Sequence, residues 1–181
     1  MIKKKLLLHS CCGPCSTSVI EKLKNDYDLT IFYYNPNIYP QEEYVKRLNE
    51  QIKYLKLSKQ NIVVIDGKYD DCQIFEKAYQ GLETCKEGGT RCEKCIHLRL
   101  KKTAEYAKIN NYDMFASTLS VSPHKNAQLI NRIFATTIFL SIQIILFRHF
   151  YTIKISILFF KIWNKIFYII FFLQIFTDIV Y

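Results

Sequence analysis

Apolar residues along the first two thirds of the chain fall into short runs punctuated by polar, glycine- and proline-bearing stretches, and the runs alternate between two periods. Lys5 to His9 holds the compact run Leu6-Leu7-Leu8 and predicts a short buried strand, and Ser16 to Lys24 predicts the helix after it, with Glu21 and Lys22 on the wet face. Leu29 to Tyr34, rich in β-branched and aromatic residues, predicts a second strand, followed by the two-proline loop Asn35-Pro36-Asn37-Ile38-Tyr39-Pro40. Tyr44, Val45, Leu48, Ile52 and Leu55 recur at helical spacing and predict a helix over Gln41 to Leu57. Asn61 to Ile65 is the third strand, closed by Asp66-Gly67, and Cys72 to Gln80 is a helical segment in which Cys72 reads as a core thiol. Ile96 to Asn110 predicts a strong helix, with Leu98, Leu100, Ala104 and Ala107 inside and Arg99, Lys101, Lys102 and Lys108 outside. Met114 to Leu119 is the fourth strand. Alternating strands and helices imply an α/β fold, a parallel sheet with flanking helices.

The punctuation stops near Arg132. From there to Tyr181 the chain has no Gly or Pro and almost no acidic residue, and its apolar positions keep neither a helical nor a strand period. The division expected is therefore an α/β domain over 1–131 and an atypical hydrophobic tail over 132–181. Three readings of the tail compete. As a membrane helix, Ile133 to Phe147 gives 15 residues between arginines, short of the roughly 20 that span a bilayer. As a packed terminal element, its density of Ile and Phe invites aggregation. Ile, Phe, Lys, Asn and Tyr are also what an AT-rich coding stretch yields out of frame, which makes the tail an aberrant, frameshifted or disordered segment.

Charge changes the picture only modestly. The formal charge of +9 divides into 20 Lys and Arg against 15 Asp and Glu up to Asn131, a surplus of +5, and five against one from Arg132, a surplus of +4. The front part suits a polyanionic partner such as RNA without demanding one. The apolar run after Met1 to Lys5 is too short for a signal peptide, so a cytoplasmic location is expected, where paired cysteines serve more often as ligands or exchanging thiols than as disulfides.

Five of the seven cysteines lie in two short stretches, Cys11-Cys12-Gly13-Pro14-Cys15 and Cys92-Glu93-Lys94-Cys95. The first sits on the turn between strand and helix, where Gly13 and Pro14 permit a tight backbone and the positive helix end favours thiolate. The second lies on or just before the first turn of its helix, where positions i and i+3 project to one side, with Arg91 and Lys94 supplying positive charge. The two read as halves of one metal or redox site. Tetrahedral zinc usually takes both pairs as CxxC, and neighbouring Cys11 and Cys12 splay apart. An iron–sulfur cube has separate corners and tolerates that splay. Cys12 and Cys15 form a second CxxC, so dithiol exchange is a further reading. Ligand type and geometry favour iron–sulfur over the other two. Cys85 is isolated and receives no role.

Two polar stretches follow strand ends. Asp70 and Asp71 come after the third strand, where a carboxylate can face the site; taken singly, each is better explained as a loop acid or helix cap. Ser122, His124, Lys125 and Asn126 follow the fourth, a set fit for phosphate or a polar nucleoside and also an ordinary helix start before Ala127 to Asn131.

The succession LLLHSCCGPCS, YNPNIYP, YDD, GLE, EGGTRCEKCIHLRLKKTAEYA and STLSVSPHKN, running to about Asn131, resembles the epoxyqueuosine reductase family of the QueH type. The resemblance implies a nucleotide-hydrolase-like (HUP, Rossmann-like) α/β fold, a [4Fe-4S] cluster, and reduction of the epoxide of epoxyqueuosine in tRNA to the cyclopentene of queuosine, the last step of queuosine synthesis. It implies Cys11, Cys12, Cys92 and Cys95 as cluster ligands, with Cys15 a neighbour. It makes Asp70 a candidate for a polar, catalytic or metal-binding role beside the cluster, so that a second metal ion is admitted. Arg91, His124, Lys125 and Asn126 would meet substrate or tRNA phosphate, and an external electron donor is required. Members of the family continue after the SPHKN loop with a further α/β segment ending in a CxC pair, whereas no cysteine follows Cys95 here; with the tail as it stands, an inactive product is an expectation too. The alternative from another class is a zinc-stabilised RNA-binding module without catalysis, its basic helix and tyrosines serving as phosphate contacts and stacking surfaces. No membrane partner is expected unless the tail inserts.

Overall fold

Three consecutive leucines tolerate no polar interruption when a strand is covered on both faces, as strands of parallel sheets are. In the computed structural model, which describes residues 2–69, 72–121 and 125–137, β1 (Lys4–Ser10) pairs in parallel with both β2 (Tyr27–Tyr33) and β4 (Met114–Ser117). A further parallel strand, β3 (Val63–Asp66), pairs with β2, so the order is β3-β2-β1-β4. The connections carry α1 (Gly13–Leu23), α2 (Gln41–Leu57), α3 (Cys72–Tyr79) and α4 (Thr90–Ile109). A 3-10 turn, Thr118–Val121, follows β4, and α5 runs from 127 to the last described residue, 137. The α/β fold with a parallel sheet and flanking helices is the one the alternation predicts.

Successive side chains on a strand face opposite ways. Leu6 and Leu8 pack on one side with Ile20 of α1, Leu29 and Ile31 of β2 and Leu55 of α2. Leu7 packs on the other with Phe32, Tyr34 and Ala107 of α4. The Phe32 ring lies 4.7 Å from that of Tyr106. Beside it the chain turns at Gly67, where a Cβ would come 2.7 Å from Tyr34 Cβ and 3.0 Å from Phe32 Cζ, so only glycine fits. The core continues past Asn131: Ile130 and Ile133 of α5 pack with Ile96, Leu100 and Leu119. Residues from 138 onward, which hold most of the hydrophobic tail and all of the unit 142–181, lie outside the described residues. No helix among the described residues is long and apolar enough to cross a membrane.

Two sequence expectations need correction. The fourth helix starts at Thr90, not Ile96, because Gly89 in extended conformation takes the N-cap position, which carries both Cys92 and Cys95 into the helix. Its buried stripe is Ile96, Arg99, Leu100, Thr103, Ala104 and Ala107. Arg99, expected outside, is 4% exposed: its angular position, one turn from Ile96 and beside Leu100, overrides its polarity. In α2 the same geometry buries Gln51 and leaves Val45 out, 43% exposed.

His9, fully buried on β1, is held neutral. Its Nε2–H donates to the Tyr34 carbonyl at 3.0 Å and its Nδ1 lies 2.9 Å from the Ser117 hydroxyl, which fits the tautomer protonated at Nε2. Desolvation first, then the Arg99 charge, lower its pKa from 6.5 to about 3. Above pH 6.5 both folded and unfolded histidine are neutral; below it the unfolded chain takes a proton that the folded chain refuses until about pH 3. Stability therefore decreases as the pH is lowered from 6.5 towards 3, by up to about 1.4 kcal/mol per unit from this group. Urea unfolding of the metal-free protein between pH 6 and 4 should fall more steeply by that amount than in His9→Gln, which keeps a donor for Tyr34; parallel profiles would contradict a buried neutral His9.

Candidate metal centre

In the order β3-β2-β1-β4 the chain winds outward one way from β1 and returns on its other side, so the connections diverge between β1 and β4. Ligands of open α/β sheets sit in that crevice, outside the carboxyl ends of the strands. The cysteine turn after β1 lies there. Cys12 is the N-cap of α1, and Pro14 fits the first turn, where its missing N–H costs nothing. The Sγ atoms of Cys11, Cys12 and Cys15 all lie within 4.8 Å of one another, a group that could hold a metal ion, and those of Cys11 and Cys12 are 3.8 Å apart. From the β4 side, Thr118 accepts the Cys11 N–H at 3.2 Å, and its hydroxyl donates to Cys11 Sγ at 3.4 Å. Beneath the turn, Gln51 Oε1 accepts from the hydroxyls of Ser10 and Ser16.

The second cysteine stretch approaches through α4. Cys11 packs against the apolar cluster in which Ile96 and Leu100 of that helix meet Leu119, Ile130 and Ile133. Arg99 ties the two together: its Nε donates to the Cys95 carbonyl and its Nη1 to Asn35 Oδ1, both at 3.4 Å, while Asn35 Nδ2 donates to the Ser10 carbonyl at 2.9 Å. Cys92 Sγ accepts the Gly88 N–H at 3.3 Å. Among the described residues, Cys92 and Cys95 belong to no group of three or more mutually close ligand atoms.

Burial raises the Cys11 thiol, opposed by the Thr118 hydroxyl and by the Arg99 charge, and burial with the neighbouring thiols pushes Cys15 up to about 12. A bound cation would reverse both. The hydroxyls of Tyr33 and Tyr79 and the Nε2 of Gln51 are buried without a hydrogen-bond partner among the described residues. Desolvation raises both tyrosines; next, Cys95 raises Tyr79, while Cys11 and Cys12 raise Tyr33 against the lowering effect of Arg47. Tyr79 thus keeps its proton beside the Cys95 sulfur without meeting hydrogen-bond geometry.

Other sequence candidates are scattered. Arg91 Nη1 donates to the Glu83 carbonyl at 3.4 Å. Asn126 caps α5, its Oδ1 accepting the Leu129 N–H at 3.0 Å, and Lys125 beside it is half-buried. Asp70 and His124, with Asp71, Ser122 and the Cys72 side chain, lie outside the described residues. Reading by polarity missed Arg99, Gln51, Tyr33, Tyr79 and Thr118; helical spacing from Ile96 and from Leu55 would have found the first two.

A family profile described as epoxyqueuosine reductase QueH matches residues 6–151. Proteins named epoxyqueuosine reductase QueH are similar to the chain: that of Acinetobacter baylyi is 45% identical over 128 residues, 70% of this chain and 57% of the relative. Those of Histophilus somni and Staphylococcus epidermidis are 43% and 38% identical, with 70% and 72% of this chain and 51% and 57% of the relative covered. The chain thus spans just over half the length of these relatives.

Proposed function

The chain belongs to the epoxyqueuosine reductase QueH family, and we propose that it is an oxidoreductase that reduces the epoxide of epoxyqueuosine in tRNA to queuosine, the last step of queuosine synthesis, at an iron–sulfur centre held by Cys11, Cys12, Cys92 and Cys95. The observation that carries this reading is the approach of two cysteine-bearing turns across one buried guanidinium, at the switch point of a parallel sheet.

The donor set supports the cofactor. Soft thiolates select iron–sulfur clusters and zinc, and a 3.8 Å Sγ separation also suits one tetrahedral zinc with bonds of about 2.3 Å. Chemistry separates the two. Opening an epoxide to an alkene and water consumes two electrons and two protons, and zinc supplies no electrons; a [4Fe-4S] cluster passes them singly from an external donor. The residues do the rest. Tyr33 and Tyr79 hold their protons at Oη around the cysteines, and Thr118 and the Gly88 amide orient Cys11 and Cys92. Asp70 serves beside the centre as acid or as ligand to a second metal ion, letting the oxygen leave as water. Arg91, His124, Lys125 and Asn126 meet substrate or tRNA phosphate, as a basic surface does. Cys15 remains a protonated neighbour.

The test is turnover. Anaerobically reconstituted protein, reduced chemically and mixed in stoichiometric amount with tRNA bearing epoxyqueuosine, should yield queuosine on nucleoside analysis. Unchanged epoxide with cluster-loaded protein would overturn the enzymatic reading for this chain, and binding of zinc alone would favour the non-catalytic RNA-binding module.

A further inference from the structure

We propose that Arg99 is the fixed counter-charge of the cysteine centre, set between its two halves to offset the negative charge of the thiolate-held group and to raise its reduction potential. This rests on the iron–sulfur reading. Arg99 is 4% exposed, and a guanidinium has five N–H donors and is always charged. Two bonds at 3.4 Å, to the Cys95 and Asn35 oxygens, are its partners among the described residues, and no carboxylate there pairs with it. A cation buried with so few partners is costly unless an anion compensates it.

The remaining contacts say where that anion belongs. One bond leads to the carbonyl of Cys95, and the other leads through Asn35 to the carbonyl of Ser10, the residue before Cys11. The guanidinium is therefore fixed to the backbone of both cysteine turns. Four thiolates on an iron–sulfur cube bear net negative charge, and net charge and burial are among the factors that set cluster potentials. A fixed neighbouring cation favours the more negative, reduced state.

Arg99→Met and Arg99→Lys separate this role from a purely structural one. In the metal-free protein Arg99→Met removes a charge that no carboxylate among the described residues pairs, so its thermal midpoint should match or exceed that of the parent, as replacement of buried ions by apolar groups often does. After anaerobic reconstitution, its midpoint potential, followed by electron paramagnetic resonance, should fall by at least a tenfold change in the one-electron equilibrium, about 59 mV. Arg99→Lys should stay near the parent value. Arg99→Met losing iron that Arg99→Lys retains would show the same charge effect during assembly. A metal-free Arg99→Met that melts well below the parent, a loaded one with unchanged potential, or equal loss of iron from both variants would overturn the proposal. Parent protein that takes up no iron would instead overturn the cluster reading, and the metal-free melts would still decide whether Arg99 is uncompensated.

Discussion

Cys12→Ser should abolish iron loading and leave the fold at least as stable as before. Cys12 is the N-cap residue of α1, with extended backbone (φ −165°, ψ 159°), and its side chain makes no capping hydrogen bond. Serine is among the best N-caps, worth about 0.5–2 kcal/mol over residues that cannot cap. The substitution thus replaces a soft ligand with a hard one at a position where the backbone prefers the replacement. Iron and sulfide should fall to near zero after reconstitution, with an unchanged or higher thermal midpoint in the metal-free protein. Cys95→Ser should remove iron to the same extent, because both turns serve one centre, while Cys15→Ser should retain it. Loss in Cys12→Ser with full loading in Cys95→Ser would mean that the first turn binds its metal alone.

The largest effect on stability is expected at Phe32. Its side chain, 1% exposed, belongs to a buried cluster with Leu7, Tyr34 and Ala107 that Ile65 and Phe115 flank, and it stacks on Tyr106. Gly67 already approaches it so closely that this side of the sheet is filled. Phe32→Ala should cost about 3–5 kcal/mol, transfer of the ring plus the cavity left behind, a large share of the roughly 5–15 kcal/mol that holds a domain together. Denaturant unfolding of the metal-free protein reads it. Val45→Ala, on the open face of α2, should change stability by less than about 0.5 kcal/mol. A cost below about 1 kcal/mol at Phe32 would contradict the two-faced sheet.

The sheet was legible because parallel strands write themselves as uninterrupted apolar runs, as at Leu6 to Leu8, and because the apolar spacing of helix α2 gives its extent, Gln41 to Leu57, and two of its buried positions, Tyr44 and Leu55. The first cysteine turn was legible from Gly13 and Pro14 beside a strand end. What escaped was polar residues in apolar positions. Arg99 and Gln51 were assigned outward, or passed over, by their chemistry, whereas the helical angle puts them on the stripes of Leu100 and Leu55. Tyr33 and Tyr79 escape for another reason: a spacing pattern locates a ring but not a hydroxyl without a partner among the described residues. Thr118 is brought to Cys11 by pairing of β1 with β4, a contact spanning 107 positions that no local pattern encodes.

The central claim is that both cysteine turns feed one inorganic electron carrier. Iron and acid-labile sulfide, counted per chain after anaerobic reconstitution of the 181-residue chain, test it most directly. About four of each is the result expected for a [4Fe-4S] centre; a single zinc without sulfide would contradict it.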